Sequence, residues 1–301
     1  MINKKMKVLI TGGLGYIGKN FIKKYENVHE LVVISKERDI SIRPKESIHL
    51  EYGDVSGKKI IKIIEKLKPD VVIHLAALSG LKKCEENPEK AFEINVTGTA
   101  NIVEGCLAAN SRLVFISTRE VYGITNKESN ENDSLDPINT YGQTKMKAEK
   151  IVESAKDLGL NYAILRLSNV YGLDGITGIN QIIKESIEKE TIFVNGGEQI
   201  LNFIFIEDVI EVINLAIQNK RWSNEVFNIG TENSIKLKEF VEILIESINR
   251  DIEVKFREKP EYESPFFQPN IKKQQNTLGY NAKIGLKEGI MRTIQTMNHS
   301  T

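Results

Sequence analysis

Short runs of consecutive apolar residues alternate along this chain with longer stretches in which apolar positions recur every three to four residues. The runs are Val8–Ile10, Leu31–Ile34, Val71–Leu75, Leu113–Ser117 and Tyr162–Leu167. None shows the apolar/polar alternation of a strand with one wet face, so each reads as a strand covered on both sides. The helical patterns open near Tyr16, Ile60, Glu89, Tyr141 and Ile179. Strand and helix in regular succession predict an α/β fold with a doubly wound parallel sheet. Beyond Val170 the rhythm changes. Gly172, Gly175, Gly178, Gly196 and Gly197 divide the chain into shorter pieces, and Pro260, Pro265 and Pro269 punctuate the stretch before the last helices. This predicts a large domain over residues 1–170 and a smaller lobe over 171–301, with chain free to cross between them.

Composition narrows the classes. The 301 residues suffice for a sizeable core. Lysine plus arginine number 41, as do aspartate plus glutamate, so nothing draws the chain to nucleic acid or to an anionic membrane. Cys84 and Cys106 lack metal-ligand spacing and read as free thiols in a reducing cytosol, which predicts a cytoplasmic protein. His29, His49, His74 and His299 form no ligand cluster, so no metal is expected. Lysines precede Val8-Leu9-Ile10, but that run is too short for a signal peptide and Thr11-Gly12-Gly13 interrupts it. No apolar stretch reaches the ~18 residues of a membrane span.

Thr11-Gly12-Gly13-Leu14-Gly15-Tyr16-Ile17-Gly18 follows the first strand directly, with Gly12, Gly15 and Gly18 three residues apart. In a strand–turn–helix of this kind the first glycine admits a tight turn. The second lets backbone approach a pyrophosphate, and the third lets the helix pack closely. The N–H groups opening the helix at Tyr16 and Ile17 then face the phosphates, with the helix dipole behind them. Strand before and helix after favour a dinucleotide, NAD or NADP, on a Rossmann-type sheet, which leaves the smaller lobe for substrate. The second strand ends Ile34-Ser35-Lys36-Glu37-Arg38-Asp39. Ser35 stands where an acid would hold an adenosine ribose, and Lys36 and Arg38 would welcome a 2′-phosphate. A solvated basic loop reads the same way, and Glu37 and Asp39 offset its charge. In Gly53-Asp54-Val55, Asp54 is placed to accept from an adenine amino group or to begin a turn. After His74, itself a satisfied core histidine on this reading, Leu75-Ala76-Ala77 lets a cofactor lie against the backbone.

Tyr141 and Lys145 are four residues apart at the start of a helix and share one face. A cation ~4 Å from a phenol interacts by roughly 4 kcal/mol at an effective dielectric near 20. That predicts a Tyr141 phenol brought near neutrality by Lys145, which also reaches the ribose beside the reactive ring. Ser117-Thr118 ends the fifth strand, where an open parallel sheet presents its crevice. There Ser117 sits on the cofactor side, and Thr118 shares a substrate oxygen with Tyr141.

Taken in order, these segments resemble the extended short-chain dehydrogenases, specifically the NAD-dependent epimerase/dehydratase group. Asn95-Val96-Thr97-Gly98-Thr99, Ser117–Gly123, Leu165–Gly172 and Phe227-Asn228-Ile229-Gly230 extend the likeness over nearly the whole chain. The resemblance implies a nucleotide-sugar substrate, Tyr141 as acid/base, Lys145 as its electrostatic partner and Thr118 as hydroxyl ligand. It places Asn169 on the substrate's diphosphate side, and Arg119 and Glu120 beside the sugar. It also implies a homodimer through the helices opening near Glu89 and Tyr141, where Ala91, Ile94, Ala148 and Ile151 serve either the interface or the core.

In that family C4 of a hexose is oxidised first, and the ketone then branches to epimer, dehydrated product or, in reductases, enters as substrate. Thr118-Arg119-Glu120 keeps the glutamate of the dehydratases' Thr-Asp-Glu but replaces its aspartate, which argues against dehydration and leaves epimerase ahead of reductase. Leu201 stands where the family carries a phosphate-holding arginine, and Phe205 where it carries histidine. Arg257 occupies the place of a second such arginine, or is an exposed strand-end residue. A non-catalytic NAD(P)-binding regulator is the reading from another class; such proteins commonly lose the Tyr/Lys pair that this chain keeps.

Overall fold

The computed structural model describes residues 5–36, 48–175, 178–219 and 224–298. In chain order the described strands are β1 (Lys7–Thr11), β2 (Glu30–Ser35), β3 (Ile48–Tyr52), β4 (Val71–His74), β5 (Arg112–Thr118), β6 (Tyr162–Leu167), β7 (Asn169–Tyr171), β8 (Thr191–Asn195), β9 (Ile200–Phe205), β10 (Glu225–Ile229), β11 (Ser234–Lys236) and β12 (Glu253–Arg257). The described α-helices are α1 (Tyr16–Tyr25), α2 (Lys59–Leu67), α3 (Leu81–Glu86), α4 (Pro88–Phe92), α5 (Gly98–Ala109), α6 (Thr140–Ser154), α7 (Ile179–Glu188), α8 (Ile206–Gln218), α9 (Leu237–Ile248) and α10 (Leu286–Asn298). The expected strands and helix starts match these within a residue or two, except that the helix expected near Glu89 is broken by a π-turn over Glu93–Thr97.

Seven strands form the main sheet in the order β10-β6-β5-β4-β1-β2-β3. Every pairing in it is parallel. Successive residues of β1 enter opposite layers. Val8 and Ile10 pack with Phe21, Leu31, Val71, Val209 and Ile213, whereas Leu9 packs with Val32, Ile60, Ile64, Ile102 and Phe115. Both faces are covered, which is why these strands read as unbroken apolar runs.

Strand order reverses at β1, with β2 on one side and β4 on the other. A parallel sheet opens its ligand crevice at such a switch point, beyond the carboxyl ends of its strands. Those ends carry Thr11, Ser35, His74 and Thr118. Strand β10 joins the sheet from beyond residue 170, in register from Glu225↔Ala163 to Ile229↔Leu167. Two small sheets, β11-β9-β7 and β12-β8, stand above the crevice with α7 and α9. Their apolar residues, among them Leu201, Phe203, Phe205 and Phe240, run without a break into the layer that covers one face of the main sheet.

Candidate active site

The glycine segment turns where β1 ends. Gly12 has φ of +66°, and a Cβ there would lie 2.7 Å from the Ala76 amide nitrogen. Side chains strain in that conformation and clash at that distance, so glycine is dictated twice. The Gly18 position is as tight, since a Cβ there would lie 2.4 Å from the Gly13 carbonyl oxygen. Gly12 N–H donates to Ile34 O at 3.1 Å and Gly53 N–H to Ser35 O at 3.0 Å, which draws the ends of β1, β2 and β3 together. Leu75, Ala76 and Ala77 follow β4 with part of their surface open, and Tyr16 and Ile17 are half-buried at the start of α1. The result is a shallow cradle at the switch point with few side-chain atoms in its floor, as a dinucleotide requires.

Lys36 at the rim is committed. Its ammonium lies 2.6 Å from Asp54 Oδ2, and Asp54 Oδ1 accepts from the Ser56 backbone N–H and hydroxyl. Partial burial would raise the Asp54 carboxyl, but Lys36 and the Ser56 donors outweigh it and hold the group below its ordinary value. Asp54 is thus an anion paired with Lys36 and the start of a turn, with Val55 buried behind it. Glu37, Arg38 and Asp39 lie outside the described residues.

His74 is a satisfied core residue. Its Nδ1 lies 2.7 Å from Thr11 Oγ1 and its Nε2 3.1 Å from Thr99 Oγ1. Burial, then the Lys145 charge, pushes the imidazole down to about 3, so it is neutral. Asn95, in the π-turn, accepts from Leu78 N–H at 2.8 Å and donates to Leu78 O and to Thr144 Oγ1. It ties the segment after β4 to α6.

Helix α6 carries the expected pair. Asn139 caps it, with Oδ1 accepting from Gly142 N–H at 2.7 Å. Tyr141 opens into a cavity of about 900 Å³ that Thr118, Arg119, Glu120 and Asn169 also line. Lys145 lies deeper, with Nζ 4.0 Å from the centroid of the Phe115 ring. The expectation that Lys145 brings the phenol near neutrality is corrected here. Burial raises Tyr141 above its ordinary range, with Cys84 and the Glu120 carboxylate adding to the effect. Burial also lowers Lys145 to about 7, against the pull of Glu149. In so dry a place desolvation is the largest influence on both groups.

Thr118 accepts from Glu120 N–H at 3.3 Å, which caps the turn Arg119–Tyr122 and leaves the hydroxyl proton to donate. Ser117 donates its hydroxyl to Glu149, which leaves that oxygen only as an acceptor. Arg119 is tied to two neighbours. Nη2 lies 2.8 Å from Glu120 Oε1 and Nε donates to Asn169 Oδ1 at 3.3 Å. Glu120 also accepts from Asn139 Nδ2, and Asn169 donates to Asn202 O. Glu263 reaches the same cavity from a distant loop. Burial raises its carboxyl, against Gln199 and Arg119, with Glu120 adding.

Leu201 lines the cavity with Ile179, Ile182, Phe193, Phe203 and Leu237, so that end is apolar. Phe205 is buried and takes no part. Arg257 is exposed on β12, its guanidinium 3.8 Å from the centroid of Phe193. Phe193 lines the cavity, and Arg257 itself does not. Sequence reasoning missed Glu263, Asn139 and the Glu149–Arg166 pair behind Lys145. Only Asn139 carried a local signal, an asparagine just before a helix.

Among the described residues no helix is long and apolar enough to cross a membrane, and no group of three or more His, Cys, Asp or Glu side chains is placed to hold a metal ion. Cys84 and Cys106 are free and buried.

Comparison with known proteins bears on this site directly. The profile of the NAD dependent epimerase/dehydratase family matches residues 8–230. A putative UDP-glucose 4-epimerase of Methanocaldococcus jannaschii is 31% identical, over 97% of this chain and 99% of its own. The crystal structure of UDP-glucose 4-epimerase from Thermotoga maritima with UDP-glucose superposes with a TM-score of 0.91 at 25% identity, covering 98% of this chain and 99% of that one. MoeE5 in complex with UDP-glucose and NAD gives 0.90 at 25% identity, with the same coverage.

Proposed function

The chain belongs to the NAD dependent epimerase/dehydratase family, and from that premise we propose that it is a nucleotide-sugar 4-epimerase. The observation that carries the reading is the convergence of Tyr141 and Thr118 on one cavity beside a glycine-built cradle. NAD is the cofactor, and the cradle of Gly12, Gly15, Leu75, Ala76 and Ala77 holds it. When bound it supplies a reversible hydride acceptor. Tyr141 takes the proton from the sugar's C4 hydroxyl and returns it to the ketone oxygen. Thr118 hydrogen-bonds the same oxygen and fixes its orientation. Lys145, on the same helix face as Tyr141, carries its positive charge below about pH 7 and is the proton donor deeper in the site.

Arg119 supports epimerisation over elimination. The place of a dehydratase acid is filled by a guanidinium bound to Glu120 and Asn169, so no carboxylate is offered there for proton transfer at the neighbouring carbons. The Lys36–Asp54 pair supports NAD over NADP, since the cation is already balanced by an acid on the adenine side. Asn169 and Arg257 hold the diphosphate side. The protein works in the cytoplasm as a homodimer. Ala91 and Ala148 are wholly buried and serve the core, so the dimer face falls to the exposed Phe92 and the half-open Ile94 and Ile151.

The test is incubation of the protein with UDP-glucose, UDP-galactose and their N-acetylated counterparts, followed by sugar NMR and nicotinamide absorbance. An epimerase interconverts the C4 isomers with no net change in reduced cofactor, and Tyr141→Phe loses about 100-fold or more in kcat. In a parallel reaction with a nucleotide 4-keto-sugar and NADH or NADPH, stoichiometric consumption of the reduced cofactor would show a reductase. Undiminished turnover by Tyr141→Phe would remove the mechanism.

A further inference from the structure

One turn beyond Lys145 on α6, Glu149 is wholly buried, and the described mechanism makes no use of it. Its carboxylate takes every donor around it. Arg166 Nη2 lies 2.7 Å from Oε2, and Arg166 Nε donates to both oxygens at 3.1 Å. The Ser117 hydroxyl bonds Oε1. Arg166 in turn donates through Nη1 to the Tyr122 hydroxyl and to Glu131 O, and Tyr122 donates to Asn228 on β10. The network therefore joins α6, β5, β6, β10 and the turn that carries Arg119 and Glu120.

A buried ion pair of this kind adds little net stability, because removing two charges from water costs about as much as their attraction returns. Its placement is the informative feature. Residues four apart on a helix lie on one face, so the carboxylate and the Lys145 ammonium are neighbours. Ser117 is the residue before Thr118. One fixed anion is thus the reference point for both the cation behind Tyr141 and the strand end that presents the Thr118 hydroxyl.

We propose that Glu149 is a positioning residue of the reaction, setting Thr118 through Ser117 and placing a fixed anion on the Lys145 face of α6. The inference rests on the reading of Tyr141, Lys145 and Thr118 as the reacting groups. Lys145 faces neutral His74 from β4, the Phe115 ring from β5 and Glu149 from its own helix, with Tyr141 on the same helical face. Glu149 meets Arg166 from β6, with Tyr122 and Glu131 beyond it, and Glu153 on α6. Of these, Glu149 is the group that opposes the loss of the lysine's proton.

The experiment compares wild type, Glu149→Gln, Glu149→Asp, Glu149→Gln/Arg166→Met and Tyr141→Phe as NAD-loaded enzymes turning over UDP-glucose. A lysine Cε NMR titration of each protein runs alongside. Removing the carboxylate lowers the pH at which Lys145 loses its proton. The alkaline limb of kcat/KM and the Cε titration of Lys145 then both move down by about one pH unit in Glu149→Gln. The double variant moves both in the same direction by a smaller amount, since the Arg166 cation is lost with the carboxylate, and it reports even if the single variant does not fold. Glu149→Asp restores most of the limb. A limb and a titration at their wild-type positions in folded Glu149→Gln or in the double variant, with Tyr141→Phe inactive, overturn the inference alone. Full activity of Tyr141→Phe overturns the reading on which it rests.

Discussion

Replacing Lys145 with methionine is expected to stabilise the protein while ending its catalysis. The side chain is buried, and its ammonium is held at about 7 where an exposed lysine stands at 10.5. At neutral pH that difference costs the fold about 5 kcal/mol, an upper bound since each pH unit is worth about 1.4 kcal/mol. The contact with the Phe115 ring at 4.0 Å returns about 2 kcal/mol in so dry a place. Methionine matches the length of the lysine stem, and Glu149 keeps Arg166 as partner, so no new buried charge is left alone. The net expectation is a gain of about 3 kcal/mol near pH 6. Its dependence on pH is fixed in sign. Between about 7 and 10.5 the unfolded chain holds the proton and the folded protein does not, so wild-type stability rises with pH across that window. Below 7 the penalty is complete, and the advantage of the variant is largest. Urea denaturation of both proteins without cofactor, at about pH 6 and about pH 9, reads the difference directly, and it should shrink to about 2 kcal/mol at the higher value, where about 1.5 pH units still separate the solution from the unfolded lysine. A variant less stable than wild type at pH 6, or an advantage that does not change with pH, refutes the reasoning.

Gly12→Ala forces a side chain to φ of +66° and places its Cβ 2.7 Å from Ala76 N. Strain of about 1–2 kcal/mol plus the clash is expected to weaken NAD binding by at least about tenfold in calorimetric titration. Arg257→Met is expected to raise KM for a nucleotide sugar about fivefold with kcat unchanged, and an unaltered KM would assign Arg257 to the bare surface. Tyr280 donates to the buried Asp208 at 2.7 Å. Tyr280→Phe is expected to cost about 2 kcal/mol in denaturation experiments, with NAD affinity unaffected.

The cradle and the helix pair were legible because each is local. Gly12, Gly15 and Gly18 declare their turn by spacing and by the strand before them, and Tyr141 and Lys145 share a face wherever that segment is helical. What spacing does not carry is the medium between the side chains. Proximity alone predicts a lowered phenol, and the lysine is in fact pressed against Phe115 in a dry layer where burial prevails for both groups. Asp54 allowed two readings in sequence, an adenine acceptor and a turn residue, and Lys36 and Ser56 show the second in place. Glu263 had no signal, since it meets Glu120 and Arg119 only through the fold of the loop before β7's sheet is completed by Phe266 and Ile200. Phe227-Asn228-Ile229 stood out as a motif but not as a strand of the main sheet, because a short apolar run does not name its neighbour.

The late arrival of β10 has a bearing on biogenesis. Until Glu225–Ile229 emerges from the ribosome, β6 presents an unpaired edge with a full ladder of free backbone groups. Nascent or truncated chains ending before that segment carry a sticky border, and only distant pairing, slow to form, can seal it. Expression fragments cut near residue 170 are therefore poor candidates for a soluble nucleotide-binding module, whereas those reaching beyond Ile229 close the border themselves.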